Sequence, residues 1–337
     1  MSIKIEENAS LKNLNSFAVE ACCRYLVRLK KPEQLKEILA DPRFEKLPRL
    51  ILGGGSNILF RQDFPGVVIQ VKNRGIQLLY EDDVHYFVQA AAGENWHAFV
   101  QHSLKQGWAG LENLSCIPGT VGAAPIQNIG AYGVELEERF HALSAIDLTT
   151  GEAITFDRAA CQFSYRDSLF KKNRDHYLIT DVTFKLPKNP KWKLDYAGIH
   201  EMLDDTKPVS ARAISGVVCQ LRQKKLPDPA LIGNAGSFFK NPLVSDDRFQ
   251  MLKADFPDMP AWPQSDDLIK LSAAWLIEQC GWKGKRYHDA GVSENHALVL
   301  VNHGNASGDE IWHLAEAIIH SVKEKYEITL QPEPLIL

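Results

Sequence analysis

The chain has 337 residues, of which 45% are hydrophobic and 24% are charged, and its formal net charge at pH 7 is -4. This is an ordinary globular composition, and the length suggests two or three domains. The mild acidity excludes the strongly basic surface of a nucleic-acid-binding protein. No apolar run approaches the ~18 residues of a membrane helix, and the acidic start lacks the apolar core of a signal peptide. We therefore expect a cytosolic protein that binds neither nucleic acid nor a membrane.

The six cysteines follow no pattern typical of a metal site or a disulfide framework. Cys22 and Cys23 are adjacent, and the other four are scattered at 116, 161, 219 and 280. The sequence contains no CxxC pair and no Cys/His cluster at zinc-ligand spacing. We predict reduced, mostly buried thiols and no metal site.

The first half of the chain is predicted to consist mainly of strands. Apolar or alternating runs predict strands at 50–52, 67–71, 84–88 and 178–186. Between the third and the fourth of these, apolar residues take helical spacing from Trp96 to Leu104. Asn95 would be the N-cap of this helix, and Gly107 would end it.

A different pattern follows a boundary region that is marked by Pro187, Pro190 and Pro208. Apolar residues at 268, 271, 275, 276 and 280 predict a helix, and residues 297–301 and 328–330 predict short strands. Ser307 and Glu310 form the capping box of a further long helix. Because strands and helices are mixed without regular βαβ alternation, the sequence favours an α+β fold over a doubly wound sheet.

A glycine-rich turn, Gly53-Gly54-Gly55-Ser56-Asn57, follows the first predicted strand. Glycines let several backbone N–H groups face one anion, since no Cβ blocks close approach. Ser56 and Asn57 add side-chain donors, so the turn suits a pyrophosphate, with a merely flexible turn as the alternative. The pattern is neither GxGxxG nor a P-loop, so any dinucleotide site here is not a Rossmann site.

A second segment, residues 111–133, is dense in Gly, Ala and Pro and poor in charge. Such a sequence forms neither a long helix nor a regular amphipathic strand, but it can wrap a flat ligand with backbone groups. Gln127 and Asn128 add amides that suit the polar edge of a heteroaromatic ring. A buried structural loop is the alternative interpretation.

The two motifs together, GGGSN and IPGTVGAAPIQNIGAYG about 60 residues later, resemble those of the UDP-N-acetylenolpyruvoylglucosamine reductase family. Further segments agree with that family in order, namely FSYRDS at 163–168, KLPDP at 225–229, GNAGSFFKNP at 233–242 and PEP at 332–334. Each segment alone is weak, but all of them in order are specific, and the resemblance spans roughly residues 13–333.

This resemblance implies a vanillyl-alcohol-oxidase/PCMH-type FAD-binding fold in two subdomains, plus an α+β substrate-binding domain. The first FAD subdomain would cover residues 1–70, with 328–337 returning to it, the second 71–210, and the UDP-sugar domain 211–327. The cofactor would be non-covalent FAD, with NADPH as its reductant. The residues that match the family's FAD site are Gly53, Gly54, Gly55, Ser56, Asn57, Pro118, Gly119, Thr120, Gly122, Ala123, Gln127, Asn128, Gly130 and Ala131.

The implied activity is the reduction of UDP-N-acetylglucosamine enolpyruvate to UDP-N-acetylmuramate, a step of peptidoglycan precursor synthesis. An electron-rich enol ether resists hydride, so the site must draw charge toward the substrate carboxylate. Arg166 matches the family's arginine for this task. A guanidinium suits it, because it stays charged and can donate two hydrogen bonds to one carboxylate.

Ser237 and Glu333 complete the catalytic set by resemblance. Ser237 matches the donor that protonates the carbon next to the carboxylate. A serine hydroxyl is a weak acid, so this role requires close contact with a strongly basic enolate. Glu333 matches a glutamate that assists enolate stabilisation, which requires a protonated or hydrogen-bonded carboxyl.

The substrate phosphates require cations, and a basic patch containing Arg222 and Lys225 could supply them. By resemblance, Lys225 and Asn241 hold the diphosphate and its neighbourhood, and Arg222 lies nearby. Tyr132 and Tyr196 match tyrosines that close over the nucleotide and sugar. Tyr196 in a separate loop is typical of the subtype with a mobile, tyrosine-bearing substrate lid.

Two positions depart from the family's pattern, since Trp262 stands in place of a stacking tyrosine and His296 in place of a glutamine.

Two alternatives to the reductase stay open from the sequence. One is an oxygen-using alcohol or sugar oxidase of the same fold, and the other is a non-catalytic FAD- or UDP-sugar-binding regulator. The substrate would in any case be a small molecule, and we expect a monomer.

Overall fold

A computed structural model describes residues 3–204, 206–264 and 267–337. Within these ranges the helices are α1 (Gln34–Leu39), α2 (Trp96–Lys105), α3 (Leu169–Lys172), α4 (Ile199–Met202), α5 (Ala211–Lys225), α6 (Asp246–Asp255), α7 (Ala273–Gln279) and α8 (Gly308–Tyr326). The strands are β1 (Ile5–Ser10), β2 (Cys22–Leu29), β3 (Arg49–Leu52), β4 (Ile58–Leu59), β5 (Phe64–Val71), β6 (Ile76–Glu81), β7 (His85–Ala91), β8 (Gly130–Ala131), β9 (Val134–Glu135), β10 (Phe140–Asp147), β11 (Ala153–Asp157), β12 (Tyr177–Pro187), β13 (Gly233–Ser237), β14 (Leu243–Ser245), β15 (Ala261–Pro263), β16 (Leu268–Leu271), β17 (Arg286–Tyr287), β18 (Ala290–Val292), β19 (Val299–Asn302) and β20 (Leu335–Ile336).

Two compact units divide these elements. The first unit contains Cys23–Gly55 and Phe64–Gln223, together with the N-terminal segment up to Ala9. The second unit contains Ser10–Cys22, Ser56–Asp63 and Lys224–Leu337. Each unit therefore draws on separate stretches of the chain, and the glycine-rich turn at 53–57 lies where the chain passes from one unit to the other.

The first unit is built on two larger sheets. One has the strand order β1-β2-β5-β3, with β5 parallel to both β2 and β3. The other has the order β11-β10-β12-β7-β6, and its strands are antiparallel. Strand β12 is the centre of this second sheet, and its apolar residues are almost entirely buried.

Helix α2 packs against this sheet through two aromatic residues. Asn95 caps its N-terminus by accepting a hydrogen bond from the backbone of Ala98 at 2.9 Å. Trp96 and Phe99 are fully buried and contact Phe184 of β12, at ring centroid distances of 5.8 and 5.0 Å. Burial of each large apolar side chain stabilises the fold by about 1.5–3 kcal/mol. The helix therefore gives the glycine-rich segment beside it a rigid support.

The second unit contains the sheets β13-β19-β18-β17 and β14-β16-β15, and a two-stranded parallel pair of β4 and β20. Its long helix α8 begins at the predicted capping box, in which Ser307 and Glu310 each receive a hydrogen bond from the other's backbone. Gly308 is required at this start, because a Cβ there would lie 1.8 Å from the carbonyl oxygen of Phe60.

The α+β expectation is confirmed, and most of the predicted elements are present with shifted ends. Two predictions are wrong. The apolar stripe from Leu268 is not one helix, since residues 268–271 form strand β16 between β14 and β15, and helix α7 begins only after Ser272. Residues 328–330 are not a strand, and the last strand is β20 instead. In the described residues, no helix has the length and apolar character that crossing a membrane requires.

Candidate active site

The glycine turn and the glycine-rich segment contact each other within the first unit. A Cβ on Gly53 would lie 2.5 Å from Oγ1 of Thr120, and a Cβ on Gly54 would lie 2.9 Å from Cα of Gly119. Real Cβ contacts are not this short, so the two backbones approach at a distance that only glycine permits. Gly53 and Gly54 of the turn and Gly119 and Thr120 of the segment thus lie side by side in the first unit.

The same segment is fixed from behind by backbone hydrogen bonds. The Trp96 amide donates to the Gly119 carbonyl at 3.1 Å, and the Gly122 amide donates to the Ala92 carbonyl at 2.9 Å. A Cβ on Gly122 would lie 2.4 Å from Cβ of Ala92, so this position also excludes larger residues. The segment consequently contains only single turns of 3-10 helix and the two-residue strand β8, in agreement with the expectation that it forms neither a long helix nor a regular amphipathic strand.

Asn128 braces this segment from within the protein. Its side chain is fully buried, its amide donates to Glu135 at 3.0 Å, and its oxygen accepts from the backbone of Glu137 at 3.1 Å. The residue has a left-handed backbone conformation, with φ of 43°. We expected the Asn128 amide to face a heteroaromatic ring, but it is hydrogen-bonded to other residues of the protein. Its contribution to a cofactor site would come from holding the glycine-rich segment in place.

Arg166 lies at the tip of a tight turn in which Ser164 and Asp167 exchange backbone hydrogen bonds of 3.2 and 3.1 Å. Its φ is 55°, an uncommon conformation for a residue with a side chain, and such conformations cluster at functional sites. Its guanidinium donates from Nη2 to the carbonyl oxygen of Gly130 at 2.8 Å. The predicted catalytic arginine thus contacts the predicted cofactor segment directly.

Tyr132, Tyr196 and Arg222 lie together in the first unit. The two tyrosine rings meet edge to face, with centroids 4.9 Å apart, and Tyr132 is only 8% exposed whereas Tyr196 is 41% exposed. Burial raises the pKa of Tyr132 to about 12, an effect that Arg222 opposes and Tyr196 reinforces. Desolvation lowers the pKa of Arg222, and both tyrosines counteract this. Three predicted substrate residues therefore form one electrostatic cluster.

The expectation of reduced, scattered thiols is wrong for two of the six cysteines. Cys116 and Cys219 form a disulfide bond, with Cα atoms 5.6 Å apart. His97 lies beside them, and its Nδ1 accepts a hydrogen bond from the Cys116 amide at 3.0 Å. No spacing signal in the sequence points to this group, because the two cysteines are 103 residues apart and the histidine lies on a third element.

In the second unit, Ser237 follows an irregularity in strand β13. The pairing of β13 with β19 shifts between Asn234 and Ser237, and Gly236 has a positive φ of 72°. The buried Asn234 side chain accepts from the Gly236 amide at 3.0 Å and donates to the carbonyls of Pro227 and Ile232. Such a bulge re-aims the residue that follows it, so the loop that leads to Ser237 is built around one buried amide.

Glu333 belongs to the same unit and is fixed next to Ser237 along the backbone. The Glu333 amide donates to the carbonyl of Phe238 at 2.8 Å, and Phe239 forms an isolated bridge with Pro332. On its other side, the side-chain amide of Asn57 donates from Nδ2 to the Glu333 carbonyl at 3.3 Å. The structure thus brings together two of the three predicted catalytic residues, although they are far apart in sequence.

One predicted phosphate residue of the second unit, Lys225, lies within electrostatic range of His296. Burial, Lys225 and Lys283 lower the pKa of His296, and Glu278 opposes this shift. His296 therefore shares a positive electrostatic environment with Lys225. The Asn241 side chain accepts from the amide of Ala273 at 3.0 Å and so holds the first turn of α7. Trp262 is 46% exposed on strand β15.

The residues of the first unit fit a flavin dinucleotide in one specific respect. The close approach of Gly53 and Gly54 to Thr120 and Gly119 leaves a backbone-lined surface on which a Cβ would intrude. Such surfaces suit the pyrophosphate of a dinucleotide, because unshielded N–H groups can reach its oxygens. A family model described as an FAD binding domain matches residues 23–157, and the chain is thus an FAD-binding flavoprotein.

A second family model, described as the C-terminal domain of UDP-N-acetylenolpyruvoylglucosamine reductase, matches residues 228–337. The chain is 50% identical to a protein of that name from Xanthomonas oryzae pv. oryzae, an alignment that covers 99% of this chain and 96% of the relative. It is 49% identical to the one from Paraburkholderia xenovorans, over 97% and 96% of the two chains. The chain therefore belongs to the UDP-N-acetylenolpyruvoylglucosamine reductase family.

A solved structure supports the fold. The crystal structure of UDP-N-acetylenolpyruvylglucosamine reductase from Thermus caldophilus matches with a TM-score of 0.70 and 24% identity, over 100% of this chain and 99% of the other. The resemblance inferred from the motifs is confirmed as family membership by the curated relatives and the family models. The individual roles of the site residues stay predictions.

Proposed function

We propose that this protein is a UDP-N-acetylmuramate dehydrogenase. It reduces UDP-N-acetylglucosamine enolpyruvate to UDP-N-acetylmuramate for peptidoglycan precursor synthesis, with FAD as cofactor and NADPH as reductant. The family membership supports this activity. The observation that supports assigning this activity to particular residues is the backbone hydrogen bond between Glu333 and Phe238, which holds Glu333 beside Ser237.

The FAD would lie against the backbone-lined surface of the first unit. The residues proposed to hold it are those of the glycine turn, Gly53 to Asn57, and of the segment from Pro118 to Ala131. When bound and reduced by NADPH, it supplies the hydride for the terminal carbon of the enolpyruvyl group. The remaining chemistry is carried by side chains of the chain.

Arg166 is proposed to bind the substrate carboxylate and to draw negative charge toward it as the hydride arrives. The hydrogen bond to Gly130 fixes one edge of the guanidinium and leaves the orientation of the planar group defined. A charge that is oriented before the reaction stabilises the enolate-like transition state without reorganisation.

Ser237 is proposed to protonate the carbon next to the carboxylate. The bulge at Gly236 and the buried Asn234 set the direction of the chain at Ser237. Such positioning matters, because a weak acid transfers its proton only when it is held in contact with a strong base. Glu333, as a protonated or hydrogen-bonded carboxyl, would stabilise the enolate oxygen.

The nucleotide and sugar are proposed to contact Tyr132 and Tyr196, with Arg222 beside them, and the diphosphate to contact Lys225 with Asn241 nearby. The different exposure of the two tyrosines supports this assignment, since the buried Tyr132 ring is held by packing and the exposed Tyr196 ring is accessible to a ligand.

We also propose a cytoplasmic monomer, organised as FAD subdomains at 1–70 with 328–337 and at 71–210, and a substrate domain at 211–327. Light scattering after size-exclusion chromatography tests the monomer.

An anaerobic experiment separates the two half-reactions. The purified protein is reduced with NADPH, the enolpyruvyl UDP-sugar is added, and the flavin absorbance is followed. Reoxidation is expected, and its absence contradicts the proposed function. Ser237→Ala should retain reduction by NADPH and lose reoxidation, whereas Ser237→Cys should recover part of it, because a thiol is also a proton donor. If both variants reoxidise at the native rate, Ser237 is not the proton donor.

A further inference from the structure

We propose that Cys116, Cys219 and His97 form a thiol-exchange site, which low-molecular-weight dithiols open and low-molecular-weight disulfides close. The disulfide joins the glycine-rich segment to helix α5, and the histidine is supplied by α2. All three side chains are only partly buried, so a small thiol can reach them. Structural disulfides need no imidazole beside them, and this imidazole contacts one of the two sulfurs.

His97 is oriented toward Cys116 by two contacts. Its Nδ1 accepts from the Cys116 amide at 3.0 Å, so in the neutral ring the proton is on Nε2. Nε2 lies 3.6 Å from Sγ of Cys116. Burial and the charge of Arg222 lower the pKa of His97, which keeps the ring neutral at pH 7. The Nε2–H group can therefore donate to a Cys116 thiolate, and a hydrogen bond to the charged form favours that form.

The exchange proceeds in two balanced steps. A dithiol monoanion attacks Sγ of Cys219, the Cys116–Cys219 bond breaks, and Cys116 leaves with the electron pair as a thiolate that His97 stabilises. The second thiol of the reductant then loses its proton and attacks the mixed disulfide. Cys219 leaves as a thiolate, and the reductant becomes a cyclic disulfide. A low-molecular-weight disulfide, reduced to two thiols, reverses the sequence.

The disulfide is one of several contacts that hold helix α5, whose residues Ile214, Val218 and Leu221 are also buried in an apolar cluster. One helical turn earlier, the buried Ser215 hydroxyl contacts the Ser115 hydroxyl at 2.7 Å and accepts from the Gln101 amide at 2.9 Å. Ser215, Cys219 and Arg222 have the spacing i, i+4 and i+7, so they lie on one face of the helix. Reduction therefore leaves the Ser215 contacts and the apolar packing intact, and it removes the covalent constraint that lies closest to Arg222 on this face.

This position connects the thiols to the substrate residues. Arg222 interacts electrostatically with Tyr132 and Tyr196, and Cys219 precedes it by less than one helical turn. The closed disulfide should hold Arg222 in place, whereas reduction should let this end of α5 move. Only this consequence for substrate affinity rests on the proposed function, because the exchange chemistry itself is independent of turnover.

The first test is made on the full chain without any substrate. The protein is equilibrated with mixtures of reduced and oxidised glutathione, the free thiols are alkylated, and the peptides are mapped. A Cys116–Cys219 cross-link that appears and disappears reversibly with the glutathione ratio supports the proposal. A cross-link that never forms, or one that dithiothreitol does not open without denaturant, overturns it. Stoichiometric zinc in the freshly purified protein also overturns it, since the three groups would then be metal ligands.

His97→Phe tests the part assigned to the imidazole. The variant should slow reduction by dithiothreitol about threefold or more, because a less stabilised thiolate leaves more slowly and exchange rates change by less than tenfold per unit of thiol pKa. An unchanged rate contradicts the role of His97. Cys22→Ser is the matched control, because Cys22 is an exposed cysteine outside the disulfide. It should leave both the cross-link and its reduction rate unchanged.

The consequence for the substrate is measured as a split between KM and kcat. On reduction, the KM for the UDP-sugar should rise at least about fivefold, the lower end of ordinary coupling between sites, while flavin content stays constant. A Cys116→Ser, Cys219→Ser double variant should behave like the reduced protein and should no longer respond to glutathione. Reversible exchange without any change in KM would overturn the coupling to Arg222. A protein that exchanges thiols but shows no turnover would instead contradict the proposed function.

Discussion

Arg166 donates from Nη2 to the carbonyl oxygen of Gly130 at 2.8 Å, so the predicted catalytic cation is attached to the backbone of the predicted flavin segment. A larger residue at position 130 would displace the guanidinium, since a Cβ on Gly130 would lie 2.9 Å from Nη1 of Arg166. Binding of a cofactor along that segment and orientation of the guanidinium are thereby linked through one residue.

Arg166→Lys should impair reduction of the substrate without impairing reduction of the flavin. One ammonium cannot keep the hydrogen bond to Gly130 and also donate in parallel to two carboxylate oxygens. We expect a loss of about 10²–10³-fold in the rate of flavin reoxidation, as is usual when one preorganised donor is removed. Arg174→Lys, an exposed substitution in the same region, is the control and should behave like the native protein. A native reoxidation rate in Arg166→Lys would show that the carboxylate does not depend on a guanidinium.

Gly54→Ala should reduce the flavin content of the purified protein. The new Cβ would lie 2.9 Å from the Cα of Gly119, and two backbones would have to separate to accommodate it. The ratio of flavin absorbance to protein absorbance measures the effect. Gly216→Ala is the matched control, because nothing lies within 4 Å of its Cβ position in helix α5. It should keep full flavin and gain about 0.5–1 kcal/mol in the free energy of unfolding. Equal flavin content in the two variants would contradict the proposed surface.

Asn234→Ala should lower both stability and turnover. Its buried side chain makes three hydrogen bonds around the bulge before Ser237, and their loss should cost about 1–3 kcal/mol in the free energy of unfolding. Asn302→Ala is a matched control on the neighbouring strand, since Asn302 is also a buried asparagine that braces a loop. It should destabilise to a similar degree and leave kcat unchanged well below its unfolding temperature. If kcat is also unchanged in Asn234→Ala, the bulge does not position Ser237.

His296→Gln should remove a pH dependence of substrate binding. The pKa of His296 is lowered in the free protein, so the ring is neutral at pH 7, and a diphosphate bound near Lys225 would raise that pKa. Binding then takes up a proton, and the KM should fall as the pH decreases through the region between the two pKa values. Native KM values between about pH 5.5 and 8, which brackets the ordinary histidine pKa, should show this slope, and those of His296→Gln should not.

The same lowered pKa fixes the sign of the effect on stability. In the unfolded chain His296 has its ordinary pKa of 6.5, so the unfolded state binds more protons in acid. The contribution of His296 to stability is therefore present above this pH and is lost as the pH falls. KM must accordingly be measured well below the unfolding temperature at each pH. A slope that persists in His296→Gln would assign the proton to another group.

The local sequence pattern correctly predicted the elements that depend on residues close together in the chain. Asn95 and Ser307 each cap the helix that follows them, as their position before an apolar period indicates. The helix prediction for residues 268–271 was wrong for the opposite reason. Their apolar spacing fits a helix as well as a strand, and the outcome is decided by pairing with β14 and β15, which the local pattern does not contain.

The candidate site divides in the same way. The glycine turn and the segment at 118–131 were found from composition, because glycine is the only residue that permits their approach. The assignment of Ser237 and Glu333 required the family resemblance, since neither residue differs locally from an ordinary loop residue. The group formed by His97, Cys116 and Cys219 was missed, because it combines three elements without any regular spacing.

The pairing of Asn57 with Glu333 joins residues that are 276 positions apart, and it has a consequence for biosynthesis. Strand β4 lacks its partner β20 until residues 335–336 have been made. The second unit can therefore complete its fold only after these residues have emerged from the ribosome, whereas the first unit can begin earlier. Contacts between distant residues also slow folding. The segment around Ser237 and Glu333 is thus expected to be among the last parts of the protein to mature.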